Sequence, residues 1–299
     1  MPTTTPSAQD RAVTNEAQLE LPDGRRLGYT TYGADHGPLV VVLDGPASRG
    51  LARASATAAA GLGIRLVAPD RPGVRASTPA PGRGIADGPA DHAALLDALG
   101  AQRAGILSQS GGTPYAVAAA AALPERTIAI AALGPVAPFD EPASVRELGG
   151  ELRAGVRLSR RAPWLLKAVL RRFAKAAAKD PREMALKFAD GLPPADARVL
   201  EDPALWAIHE QGLAEILAEW RAFAHEIGLM ARPWGVDPAD VGVPVSFWSG
   251  SADTRHPTAQ ARRLAALIGG DPPVHVVADA AAFGLMEVYP DALRFAAGS

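Results

Sequence analysis

An α/β fold built on a mostly parallel sheet is predicted by three features of this 299-residue chain. Short apolar runs at Leu39–Leu43, Arg65–Pro69, Ala104–Leu107 and Thr127–Ala132 are continuous rather than alternating, the pattern of strands covered on both faces. Helix-like segments such as Pro89–Leu99 separate them, and parallel strands need such crossovers. From about residue 138 to residue 237 helix follows helix without a strand signal, and the strand–helix rhythm then resumes.

Each element follows from local chemistry. Gln18–Leu21 and Leu27–Thr31 flank Pro22-Asp23-Gly24, a turn sequence, and predict a hairpin at the start. Beyond the helical block, Val243–Trp248 and Val274–Val277 predict two further strands. A helix over Ala259–Leu267 lies between them, and a closing helix runs to Phe295. The chain therefore divides into a flexible N-terminal segment (1–15), a core (16–137 and 238–299) and an inserted helical block (138–237).

Composition narrows the function classes. Hydrophobic residues make up 48% of the chain, enough for a large core. Thirty basic and 32 acidic residues are intermingled for a net charge of −2, so nucleic acid is not an expected partner. There is no cysteine, which excludes disulfides, thiolate nucleophiles and cysteine-bound metals. No metal site or cofactor is expected. Met1–Asn15 is polar and lacks the apolar stretch of a signal peptide, and no run of about 18 apolar residues exists to span a membrane. A cytoplasmic protein without membrane attachment is the simplest expectation. Abundant alanine, glycine, proline and arginine suggest a GC-rich bacterial genome.

Chemistry concentrates at Ser108-Gln109-Ser110-Gly111-Gly112, between a buried strand and an alanine-rich helix. Small residues around a serine at a strand-to-helix turn let the backbone pass closely on both sides while the hydroxyl is aimed into a cleft. The Gly111 N–H then lies at a helix N-terminus, where a developing oxyanion is stabilised. Taken alone the pentapeptide also suits an ordinary strand–helix turn.

The stretch Gly111-Gly112-Thr113-Pro114-Tyr115-Ala116 resembles the elbow helix of bacterial α/β-hydrolases. Asp70-Arg71-Pro72-Gly73 and Pro81-Gly82-Arg83 with Ala86-Asp87 resemble the segment after their fourth strand. Arg232-Pro233-Trp234-Gly235 and Val243-Pro244-Val245 resemble the end of their cap and the next strand. The resemblance covers residues 18 to 295 in order. It implies a mostly parallel eight-stranded sheet covered by helices on both faces, with a helical cap inserted after strand 6. It also implies a Ser-His-Asp triad with Ser110 as nucleophile.

The acid of that triad is expected in Gly250-Ser251-Ala252-Asp253-Thr254-Arg255-His256-Pro257, where Asp253 matches; as an ordinary residue it would cap a turn or helix. The histidine is expected after the last strand, where the chain reads Asp279-Ala280-Ala281-Ala282-Phe283-Gly284-Leu285. Ala282 occupies its position, and a methyl group accepts no proton. Of the six histidines, His36, His92 and His275 look structural or solvated. His256 lies three residues past Asp253, but the start of the following helix is expected to point it elsewhere. His209 and His225 sit in the cap and are candidates to face the cleft.

The oxyanion loop departs from the pattern too. The chain reads Asp44-Gly45-Pro46-Ala47-Ser48-Arg49 where the family has His-Gly-x. Without a gap, Pro46 takes the donor position and has no N–H; with a gap, Ala47 takes it. Asp44 reads equally as a proton-transfer group or as a loop-bracing carboxylate paired with Arg49 or Arg75. Gly45 and Gly111 are the remaining backbone candidates and Gln109 a substrate-binding one. Gly88 stands where relatives often have tryptophan. Linked departures around one cleft favour natural divergence over a deliberate replacement at position 282.

In the cap, Trp164 to Lys179 has helical apolar spacing with Lys167, Arg171, Arg172, Lys175 and Lys179 between. A solvated face is the preferred reading over a membrane-surface helix. Trp206, Trp220 and Trp234 suit cap packing or a ligand-lined cleft.

Three functions are compatible with these residues. The first is a repurposed enzyme performing cyclisation, elimination or isomerisation on a small hydrophobic metabolite in bacterial secondary metabolism, with Ser110 as hydrogen-bond donor and Asp44 as acid/base. The second is a serine ester or C–C bond hydrolase whose histidine has been replaced. The third is a ligand-binding protein without catalysis. The partner in each is a small hydrophobic molecule in the cap–core cleft, and a homodimer is left open.

Overall fold

A computed structural model describes residues 13–299. Most of the N-terminal segment expected to be flexible therefore lies outside the described residues. The strands are β1 Val13–Glu20, β2 Arg26–Gly33, β3 Leu39–Leu43, β4 Arg65–Pro69, β5 Ala104–Ser110, β6 Thr127–Pro135, β7 Val245–Gly250 and β8 Val274–Val277. They form one sheet in the order β1-β2-β4-β3-β5-β6-β7-β8. β2 pairs antiparallel with β1 and β4, and all remaining neighbours are parallel.

The core helices are α1 Gly50–Gly61, α2 Gly88–Ala98 and α3 Thr113–Ala122. Between β6 and β7 follow α4 Pro142–Glu147, α5 Gly150–Arg161, α6 Pro163–Lys179, α7 Pro181–Ala189, α8 Pro194–Val199, α9 Pro203–Ala218 and α10 Trp220–Met230. α11 Thr258–Ile268 and α12 Tyr289–Ala297 complete the chain.

Side chains of a strand alternate between faces, and β3 shows why its run is apolar throughout. Val40 and Val42 pack with Leu51, Ala56 and Leu293 of α1 and α12, whereas Leu39 and Val41 pack with Leu95 and Leu96 of α2. On β4, Leu66 and Val67 are both fully buried on opposite faces. Each such side chain contributes about 1.5–3 kcal/mol on burial. A solvated sheet face would have required alternation.

The parallel strands all end at one edge, where β3, β5, β7 and β8 deliver their loops. β5 runs three residues further than the apolar pattern predicts and carries Ser108 to Ser110 to that edge. A register irregularity against β6 falls between Gln109 and Ser110, where the strand gives way to the turn.

Candidate active site

Ser110 has a φ of +49°, the left-handed region that side chains avoid. Such a conformation costs about 1–3 kcal/mol and persists only where the surroundings dictate it. The two following glycines show how they do. A Cβ at Gly112 would sit 1.7 Å from the Leu43 carbonyl oxygen, and one at Gly111 would sit 2.9 Å from Pro46 Cδ and 3.0 Å from Met230 Sδ. The turn closes with the Gly112 N–H donating to the Gln109 carbonyl at 2.8 Å. α3 begins directly after it, so the positive end of the helix faces the serine.

The partner of Ser110 is His256. Its Nε2 lies 2.8 Å from the Ser110 hydroxyl oxygen, across 146 residues of sequence. This corrects the expectation that His256 points elsewhere. The reason is local: α11 starts only at Thr258, so His256 is not in its first turn. His256 precedes Pro257, which biases it toward extended backbone, and an Asx turn swings it around. In that turn one oxygen of Asp253 accepts the N–H groups of Arg255 and His256, both at 2.8 Å. The other Asp253 oxygen lies 3.7 Å from His256 Nδ1, an ion-pair separation longer than a hydrogen bond.

Both residues are buried. Burial alone would raise the Asp253 carboxyl, but the His256 ring and the two backbone N–H groups outweigh it and hold Asp253 below the usual carboxylate range.

Ala282 lies half-buried in the loop after β8 and brings no polar side chain. That loop is held from the helical block instead. Asp196 of α8, 1% exposed, accepts the Phe283 N–H at 2.8 Å. Burial raises the Asp196 carboxyl, and the negative charge of Asp253 adds to the shift. His209 rests edge-on against Phe283, 5.4 Å between ring centres, and 5.6 Å from Trp206. His225 is exposed on α10, and its partial desolvation lowers its pKa. Neither bonds Ser110. His36 is exposed and His275 stacks on Trp248, as structural or solvated residues do.

On the other side of the serine, Asp44 braces its own loop. One carboxylate oxygen accepts the Gly45 N–H at 2.6 Å and the other the Leu51 N–H at 2.9 Å, in the first turn of α1. Arg49 and Arg75, its expected partners, both bond Asp70. Pro46 offers no N–H and packs on Gly111. Ala47 takes a φ of +62°. The N–H groups of Ala47 and Gly111 make no hydrogen bond among the described residues.

Sequence reading missed the brace behind this loop. Arg71 donates to the carbonyls of Asp44 and Gly111, so one guanidinium joins the β3 loop to the elbow. Its other arm meets Glu226 of α10 at 2.7 Å, and its plane lies 4.4 Å from the Tyr115 ring centre. Glu226 is 1% exposed and also takes Arg83 and, at 2.9 Å, the Tyr115 hydroxyl. Burial opposes its charge, yet Arg71 and Arg83 keep its pKa low. Arg71 stood within a recognisable tetrapeptide, but nothing local marks Glu226, 155 residues away, as its partner. A cavity of about 90 Å³ lies beside this network, lined by Arg83, Gly88, His92 and Tyr115 but not by Ser110.

No protein-family model matches the chain, and no curated protein does. Solved structures do match. A hydrolase from Pseudomonas aeruginosa superposes with a TM-score of 0.67 at 20% identity, covering 95% of this chain and 99% of the other. An esterase from Rhodococcus sp. gives 0.67 at 18%, covering 96% and 99%. The enol-lactonase from Burkholderia xenovorans gives 0.63 at 21%, covering 93% and 97%. With the sheet order and the elbow, these likenesses show that the chain has the α/β-hydrolase fold.

Proposed function

We propose that the protein is a serine hydrolase acting on an ester-type acyl bond of a small hydrophobic molecule, bound between the core and the helical cap. The 2.8 Å contact between Ser110 and His256 carries this reading. His256 Nε2 accepts the hydroxyl proton as Ser110 attacks the carbonyl carbon, and the imidazolium then protonates the leaving alcohol. Asp253 holds the ring through its turn and stabilises the imidazolium. The unengaged N–H groups of Gly111 and Ala47 are the oxyanion donors this reading uses. Water enters in the second half-reaction with His256 as base. Esterases and lactonases of the same fold make acyl transfer a natural first assay.

A second reading, a non-hydrolytic step on a hydrophobic metabolite, is favoured by one observation. Pro46 lacks an N–H and Asp44 already takes that of Gly45, which removes two donors from the loop facing the elbow. Turnover of short-chain aryl esters separates the readings. Hydrolysis abolished by Ser110→Ala supports the hydrolase; no acylation of Ser110 by any activated ester contradicts it, leaving the non-hydrolytic or ligand-binding roles.

A further inference from the structure

The outer face of α6, next to the arginine-rich α5, is strongly basic. Over these two helices the chain carries nine basic residues and one acidic residue, Glu151, against a near-balanced total. At 100° per residue, the buried side chains of α6 (Leu166, Leu170 and Ala177) define its inner side. Trp164, Arg171 and Lys175 fall on the opposite side, with Arg172 and Lys179 beside them. All five are exposed, and the four cations make no ion pair with described residues. Trp164 is 71% exposed and its neighbour Leu165 37%.

A tryptophan ordinarily buries 150–250 Å² on folding, roughly speaking, and here most of the ring stays in water. An indole and a leucine at the end of an unpaired cationic stripe match the interface of a bilayer. Trp enters at headgroup depth, and Lys and Arg meet lipid phosphates. A nucleic acid or an acidic protein surface would satisfy the cations but leave Leu165 unexplained. No described helix is long and apolar enough to cross a membrane, so the contact is peripheral.

We propose that the outer face of α6 docks on an anionic lipid surface, with Trp164 and Leu165 entering the interface and Arg171, Arg172, Lys175 and Lys179 meeting the headgroups. The inference is independent of the proposed hydrolysis.

The test is co-sedimentation of the full chain with vesicles of phosphatidylglycerol and phosphatidylcholine, against phosphatidylcholine alone. Binding to the anionic vesicles only, weakened by salt, is the result expected. At about a fivefold change per surface cation, Arg171→Gln with Lys175→Gln lowers binding about 30-fold, and Trp164→Ala lowers it further. Melting temperatures of these exposed variants stay at the parent value. The proposal is overturned by equal binding to both vesicle types or by parent-level binding of the variants. It is also overturned by light scattering that shows a dimer broken by Trp164→Ala, or by binding to heparin without binding to vesicles.

Discussion

Two loops at the same edge of the sheet, after β7 and after β8, differ in the side chains they carry. The first, Ser251–Pro257, carries acid and imidazole together, three residues apart, and an Asx turn folds one over the other. The second, Ala278–Gly284, carries alanines where the resemblance places a histidine and lends its Phe283 N–H to Asp196 of the helical block. Hydrogen bonds lace the two together, from Ala252 N–H to the Ala280 carbonyl at 2.8 Å and from Asp279 N–H to Ser251 Oγ at 2.9 Å. In the proposed hydrolysis Ser110 needs an imidazole nitrogen at hydrogen-bond distance, and which loop supplies it is secondary. In the first loop the His256 Nδ1 lies 3.7 Å from the Asp253 carboxylate.

The largest effect is expected at Asp253. Asp253→Asn removes the charge that stabilises the imidazolium and weakens the turn that aims it, so aryl-ester kcat should fall between about 10²- and 10⁴-fold. A fall of less than tenfold would assign Asp253 a purely structural part. Next in size is the brace behind the elbow. Glu226→Ala strands two guanidinium groups in a buried site, and denaturant unfolding should report a loss of about 3–5 kcal/mol. Retained stability would mean that solvent replaces the carboxylate.

Far from both loops, His92 serves as a control on pH. It is buried on α2, and burial, aided by the positive charge of Arg126, lowers its pKa to about 4. The unfolded chain takes up this proton near pH 6.5 and the folded chain only near 4, so stability declines as pH falls between these values. The decline amounts to about 3 kcal/mol. Denaturant unfolding from pH 7 to pH 4 should show it, and His92→Phe should flatten that part of the curve.

The smallest effect is expected at Asp196. Asp196→Ala frees the second loop from the helical block and should lower stability by about 1.5–3 kcal/mol, the value of a hydrogen bond to a charged group. If only the first loop does chemistry, kcat stays near the parent value. A kcat loss matching that of Asp253→Asn would return catalytic weight to the second.

The fold was legible because strands buried on both faces must be continuously apolar, and because Gly111 and Gly112 stand where no Cβ fits. The turn that Asp253 closes was legible from its own loop pattern. His256 was not, although it stood in plain sight. Its contact with Ser110 depends on where α11 begins and on how the Asp253 turn rotates the chain, and a shift of one or two residues there reverses the direction of the ring. Asp44 was half legible: a bracing carboxylate, with two backbone N–H groups in place of the arginines expected. Glu226 and Asp196 were invisible, since they act on residues 155 and 87 positions away.

In the proposed hydrolysis His256 activates Ser110. This activation is tested most directly by the pre-steady-state release of p-nitrophenolate from a short-chain ester, measured for the parent and for His256→Ala, with Ser110→Ala as blank. A burst is expected in the parent, with an acylation rate lower by about 10³-fold or more in His256→Ala. A burst of unchanged rate in His256→Ala would contradict the activation.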